Sequence, residues 1–161
     1  MDDKKMQKFT NNIILLFPLY HRNLIKSHDK CSLITPFNPK FRVLGMLLFY
    51  GPMQMSAISN KLCVTKPNIT ALIDKLIEEK MVGRTYEKDD RRVIKIHITD
   101  KGKQYLIRCK NETKEVIKTN LSVLNEKEFK RLFDASEEMI TILSKINKDD
   151  NIRQAMYNLK E

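Results

Sequence analysis

Residues 65–80, TKPNITALIDKLIEEK, carry the reading on which the rest of the chain hangs. Ile69, Leu72, Ile73, Leu76 and Ile77 recur at i, i+3, i+4, i+7 and i+8, which places them on one stripe of an α-helix. Lys66, Asn68, Thr70 and Lys75 fall off that stripe. A helix that buries one face and points short polar and cationic side chains outward from its first turn suits the major groove of DNA. Thr65 stands where an N-cap is wanted, and Pro67 is tolerated in a first turn, where its missing N–H costs nothing.

The neighbouring segments supply a context for that helix. Upstream, Met53-Gln54-Met55 is long enough only for a one-rung edge strand. Ser56 is expected to cap a short helix through Ala57, Ile58 and Leu62, with Cys63-Val64 as the turn into residues 65–80. Two short helices joined in this way form a helix-turn-helix. Downstream, Arg84-Thr85-Tyr86 reads as a strand, residues 87–91 as a charged turn and residues 93–98 as a second strand. Ile94, Ile96 and Ile98 alternate with Lys95 and His97, which predicts one buried face. A hairpin with a cationic tip directly after a helix-turn-helix is a winged helix.

Further out, the pattern is helical. Phe9, Ile13, Leu16, Tyr20 and Leu24 mark a first helix, with a kink or a start expected at Pro18. A loop from His28 leads to Asn38-Pro39, a cap followed by proline at the first helical position. The second helix, residues 40–50, is apolar on nearly every side and so belongs in a core; Gly51-Pro52 stops it. Thr99-Asp100 caps a long helix to about Leu121, whose polar middle, CKNETKE, predicts exposure there. Asn125 and Glu128 form a capping box that opens a last helix with Phe129, Leu132, Phe133, Ile140, Leu143 and Ile146 on its stripe. The tail beyond Asn147 holds charges with Met156, Tyr157 and Leu159, enough for a further short helix. The fold class expected is mainly α with a small β-hairpin wing.

Composition agrees with that class and narrows the partner. The chain has 161 residues, 42% of them hydrophobic, with 4 Gly and 5 Pro, which argues against a β-sandwich or a disordered linker. Its 30 Lys and Arg against 20 Asp and Glu give a net charge of +10, which favours a polyanion. The longest apolar run, from Ile13, is far short of the ~20 residues of a membrane span and lacks a small-residue cleavage site. No membrane partner and a cytoplasmic location are therefore expected. Cys31, Cys63 and Cys109 are odd in number and far apart, so no disulfide framework is expected.

The ordered series of motifs resembles the MarR family of transcriptional regulators. It comprises Phe41-Arg42-Val43-Leu44, then Gly51-Pro52-Met53-Gln54-Met55-Ser56, Val64-Thr65-Lys66-Pro67 with Leu76, Arg84, and Asp90-Arg91-Arg92 running to Ile98-Thr99-Asp100-Lys101-Gly102. The resemblance implies an interlocked homodimer on a palindromic operator. It divides the chain into an N-terminal dimerisation helix and loop (1–37), a winged helix-turn-helix (38–99) and C-terminal dimerisation helices (100–161). It also implies a repressor released by a small molecule held between the dimer helices and the winged helix. Tyr20, Leu24, Met46, Phe49 and Tyr50 are the candidates for that crevice, with ordinary core packing as the alternative. Cys63 and Lys80 depart from the pattern, standing where the family often has glycine in a left-handed backbone.

Chemistry assigns the DNA-facing side chains. Lys66 suits a phosphate or a guanine, Asn68 an adenine, Pro67 a thymine methyl, and Thr70 a base or phosphate oxygen. Ser56 and Thr65 begin helices and can pass backbone N–H groups to phosphate, or act as caps alone. By resemblance, Arg91 enters the minor groove while Asp90 pairs with Arg92 and stiffens the hairpin; the two arginines are interchangeable in this assignment. A narrow minor groove has enhanced negative potential, which suits arginine. Lys88 and Arg84 are expected as phosphate neighbours, or as plain surface charge.

Other classes have less support. No Gly-rich phosphate loop, Ser–His–Asp set or paired carboxylates occur, so no enzyme and no cofactor is expected. His28 and Cys31 make only a two-ligand arm, with His21 and His97 on other elements, so no metal site is expected. Two readings compete with the repressor. One is a protein–protein winged-helix module whose charge is incidental. The other is a thiol-based redox-sensing regulator of the same fold using Cys31 or Cys63, weakened because neither lies at the start of the first helix.

Overall fold

The structure, a computed structural model, describes residues 2–25, 38–87 and 93–146. The expected loop from His28 to Phe37, the hairpin tip with Lys88, Asp90, Arg91 and Arg92, and the tail from Asn147 lie outside the described residues. Among the described residues, six α-helices and three strands follow in the order α1 (Asp3–Tyr20), α2 (Pro39–Tyr50), β1 (Met53–Gln54), α3 (Met55–Leu62), α4 (Lys66–Glu78), β2 (Val82–Tyr86), β3 (Ile94–Ile98), α5 (Asp100–Leu121) and α6 (Glu126–Leu143). No described helix is long and apolar enough to cross a membrane.

The core is the winged helix-turn-helix closed by α5. Val43, Leu44 and Leu47 of α2 meet Ile58 and Leu62 of α3, Ile69, Ile73 and Leu76 of α4, Val82 and Ile96 of the sheet, and Tyr105, Leu106 and Cys109 of α5. The stripe read from residues 65–80 is the buried face: Ile69, Ile73 and Leu76 are 0% exposed, and Leu72 and Ile77 are half-buried. The sheet is antiparallel in the order β1-β3-β2. Met53 pairs with Ile96, and β2 pairs with β3 from Val82↔Ile98 to Tyr86↔Ile94.

Local chemistry explains most boundaries. Asn38 caps α2 by accepting from the Phe41 N–H at 3.3 Å, with Pro39 at the first helical position. The Thr99 side chain accepts from the Gly102 N–H at 3.2 Å and so caps α5. The capping box at α6 has both bonds, Glu128 N–H to Asn125 Oδ1 at 3.0 Å and Asn125 N–H to Glu128 Oε2 at 3.1 Å. Asn125→Ala is expected to cost about 1 kcal/mol of helix stability. It should be read as about fivefold faster amide exchange in the first turn of α6, with α2 unchanged.

Four expectations need correction. Ser56 is not a cap: β1 runs straight into α3, so Gln54 takes the N-cap position in extended geometry and Ser56 falls inside the first turn. Pro18 neither starts nor ends α1; the helix continues to Tyr20, and the turn after it, His21–Ile25, widens to a π-helix. The hairpin's buried face stops short, because Ile94 lies beyond the helices and is exposed with Tyr86 opposite it. Finally, the polar middle of α5 is not uniformly open: Cys109 and Thr113 are buried. The π turn packs on α5, and the Asn120 amide donates to the Leu24 carbonyl at 3.1 Å.

Both departures from glycine do adopt left-handed backbone, Cys63 at φ 53 and Lys80 at φ 58. Each costs about 1 kcal/mol for a residue with a Cβ. Each is held by a Schellman-type bond reaching back five residues, Val64 N–H to Ser59 O at 3.2 Å and Met81 N–H to Leu76 O at 2.8 Å.

The outer helices are a different matter. Neither α1 nor α6 buries a single residue. Phe9, Ile13, Leu16, Phe17 and Tyr20 on α1, and Phe129, Leu132, Phe133, Ile140 and Leu143 on α6, are all exposed.

Candidate nucleic-acid interface

The site is built from the end of α4 that the core leaves open. With Ile69, Ile73 and Leu76 seated, Thr65, Lys66, Pro67, Asn68 and Thr70 all face outward and are exposed. Thr65 occupies the N-cap position in extended geometry, but its hydroxyl makes no capping bond. The first N–H groups of a helix have no partner within it and sum to a partial positive charge, a favourable seat for an anionic oxygen. Pro67 removes one of those donors, which leaves Lys66 and Asn68 to supply them. The Thr70 hydroxyl differs from expectation: it donates to the Lys66 carbonyl at 2.9 Å. In that rotamer its oxygen is left to accept.

Ser56, in the first turn of α3, is exposed. Gln54 at the N-cap of α3 makes no side-chain cap bond either. Neither helix start is thus capped by a side chain, and that of α4 adjoins the turn between the helices.

On the hairpin the described strands close up to the Glu87 N–H, which donates to the Val93 carbonyl at 3.0 Å. Lys95, whose register partner is Thr85, reaches diagonally so that its Nζ meets Glu87 Oε1 at 2.6 Å. The expected tip residues Lys88, Asp90, Arg91 and Arg92 fall between, outside the described residues. Arg84, expected near phosphate, instead donates to Asp74 of α4 at 2.7 Å, both half-exposed. The pair links β2 to α4 and adds little stability in itself at such exposure.

Sequence reasoning missed the residues that hold α4 in place. Lys40 at the start of α2 contacts both Glu79 carboxylate oxygens at 2.5 and 2.6 Å, just past the end of α4. The Thr99 hydroxyl donates to the Lys80 carbonyl at 2.7 Å, and the Thr99 N–H donates to the Met81 carbonyl at 3.0 Å. At the other end, Ser59 Oγ donates to the Val64 carbonyl at 2.6 Å, and Arg42 Nη2 to the Leu62 carbonyl at 3.1 Å. Ser59 left a trace in the sequence, since it shares a helical face with Met55 and Leu62, while Thr99 was readable only as the cap of α5.

The crevice candidates sit on three elements. Tyr20 lies at the end of α1 and Leu24 in the π turn, while Met46, Phe49 and Tyr50 lie on α2. Phe49 and Tyr50 meet edge to face with centroids 4.3 Å apart, and the Lys61 ammonium sits 4.0 Å over the Tyr50 ring. Met46 packs on the core.

Of the thiols, Cys31 lies outside the described residues. Burial pushes the Cys109 thiol up, against a lowering by its hydrogen bond with Tyr105, and so favours the protonated form. Cys63 is exposed, with its sulfur 3.8 Å from the Asn60 carbonyl. Among the described residues no group of three or more His, Cys, Asp and Glu could hold a metal ion.

Comparison with known proteins bears on residues 38–94, which match the family model described as the MarR family. The chain is 38% identical over 71 residues to the uncharacterized HTH-type transcriptional regulator YkoM of Bacillus subtilis, a match covering 44% of this chain and 46% of that protein. It thus spans about half the length of that relative. A longer match, 27% identical over 126 residues, covers 78% of this chain and 79% of the HTH-type transcriptional repressor MdtR of Bacillus subtilis. In fold, the chain is similar to the transcriptional regulator Tm0710 of Thermotoga maritima, with TM-score 0.62 over 88% of this chain and 96% of that one, at 22% identity. The relatives named here are regulators of transcription, and none is named as an enzyme. Over residues 38–94, then, the chain is similar to the MarR family.

Proposed function

We propose that this protein is a transcriptional regulator that binds palindromic double-stranded DNA as a homodimer. One observation carries the reading. Helix α4 spends its whole apolar face on the core, yet leaves Lys66, Pro67 and Asn68 exposed behind a Thr65 hydroxyl that makes no cap. A first turn with free donors and short polar side chains has the chemistry of a major-groove reader. Lys66 meets phosphate or guanine, Asn68 adenine and Pro67 a thymine methyl. Thr70 accepts, and the starts of α3 at Ser56 and α4 at Thr65 grip the backbone. The hairpin lies along the minor groove, with Arg91 or Arg92 as its probe, Asp90 as stiffener and Lys88 beside phosphate.

The exposed apolar stripes of α1 and α6 support the dimer. An isolated 18-residue helix is marginal in water unless its apolar face is covered. Residues 1–37 and 100–161 then serve dimerisation, and 38–99 serve DNA. A two-fold dimer sets its two α4 helices about 34 Å apart, one turn of duplex. The repressor naming of MdtR supports repression. A small-molecule effector, held near Tyr20, Leu24, Met46, Phe49 and Tyr50, would release DNA by favouring a dimer with the wrong helix spacing.

Selection of bound duplexes from a random pool tests the reading, and a palindromic consensus is expected. Binding should weaken steeply as salt rises. Asn68→Ala should relax base preference at one position by about tenfold, while Arg91→Ala should weaken most sequences alike. No duplex binding at low salt would return the chain to the class of protein–protein modules.

A further inference from the structure

We infer that Ser59, assisted by Arg42, is the positioning residue that aims the leading turn of α4; its consequence for DNA rests on the function proposed above. The turn between α3 and α4 contains only Cys63 and Val64 before the Thr65 N-cap, and no glycine. A short turn with a left-handed non-glycine residue has other backbone arrangements nearby in energy, so something must select one.

Ser59 does so by holding both polar groups of one residue. Its carbonyl accepts from the Val64 N–H at 3.2 Å, and its hydroxyl donates to the Val64 carbonyl at 2.6 Å. Ser59 is buried in a helix whose other buried residues are apolar, Ile58 and Leu62. The Val64 carbonyl belongs to the peptide plane whose nitrogen is that of Thr65. Fixing that plane fixes where the N-cap sits, and with it the direction of the Lys66 and Asn68 side chains. Arg42 adds a second hold from outside the motif, since its guanidinium reaches from α2 to the Leu62 carbonyl at 3.1 Å. The turn is gripped by a hydroxyl from beneath and a cation from the side.

The test uses the full chain with Ser59→Ala, Arg42→Ala and a control, Ile58→Val. The control trims a fully buried side chain of the same helix but leaves both holds in place. The first reading is amide exchange without DNA. Ser59→Ala should speed exchange at Val64, Ile69 and Thr70 by about tenfold relative to Leu76, and Arg42→Ala should act less in the same direction. The second is the affinity ratio between a selected duplex and a scrambled one, which should fall about tenfold in Ser59→Ala and hold in Ile58→Val. Uniform change along α4, or an equal fall in the control, overturns the inference. Should Ser59→Ala fail to fold, the exposed Arg42→Ala decides by the same two readings. A wild-type chain without duplex preference would sink the DNA reading instead, and the exchange pattern would still decide the positioning role.

Discussion

Replacing Gly102 with alanine is expected to lower the thermal unfolding midpoint by about 10 °C. Gly102 is buried at the start of α5, and a Cβ there would meet the Met81 carbonyl oxygen, with Ile98 Cγ1 at 2.8 Å and Leu44 Cδ2 at 3.2 Å. A leucine tip can turn aside, but the Met81 carbonyl is backbone that already accepts from the Thr99 N–H. Making room therefore breaks the junction of α4, β2 and α5 together. Forced overpacking costs about 3 kcal/mol when the neighbour cannot yield, and each kcal/mol moves the midpoint of a chain this size by about 3 °C. A melt followed by circular dichroism checks this. A shift within a degree of wild type would mean that the junction is slack.

If the protein is the homodimer proposed above, Phe133→Asp should abolish that dimer and lower operator binding by a factor of about a hundred or more. Phe133 lies mid-helix on α6, which buries none of its residues against the other described ones, and in the proposed dimer its ring would be covered by a second copy. In a two-fold interface each substitution appears twice, and a buried charge opposite an apolar partner is repelled on both counts. Sedimentation should show a monomer at micromolar concentration, while the unfolding of α2 to α5 stays close to wild type. Persistence of the dimer with undiminished DNA affinity would remove α6 from the interface.

The pattern of residues 65–80 was legible because a helix of fixed period must put Ile69, Ile73 and Leu76 together, whatever surrounds it. The caps at Asn38, Thr99 and Asn125 were legible for the same reason: each acts within four residues of itself. Ser56 looked like a cap because its type suits one, but the decision belonged to β1, whose extended backbone hands the N-cap position to Gln54. Ile94 broke the strand alternation because period says which face an isoleucine takes, not how far along the strand the core extends. Cys109 is buried in the core that α2, α3, α4 and the sheet build with α5, elements that no local window around it contains. Arg84 shows the limit for charge: its type suited phosphate, and its partner, Asp74, became visible only when β2 was laid beside α4. The holds on α4 from Lys40, Arg42 and Thr99 are all of this long-range kind.

The junction at Thr99 also has a mechanical meaning. The end of α4 and the start of α5 are fastened there by two hydrogen bonds from one residue, over a glycine that leaves no clearance. Helix α5, of 22 residues, is about 33 Å long, and α4, of 13, is about 20 Å. To the extent that the joint holds, the two behave as arms of one lever with Thr99 at its fulcrum. Swinging the far end of α5 sideways would then carry Lys66 through roughly six tenths of that displacement. An ångström-scale push near Leu121 is thus geared to the turn that would face DNA.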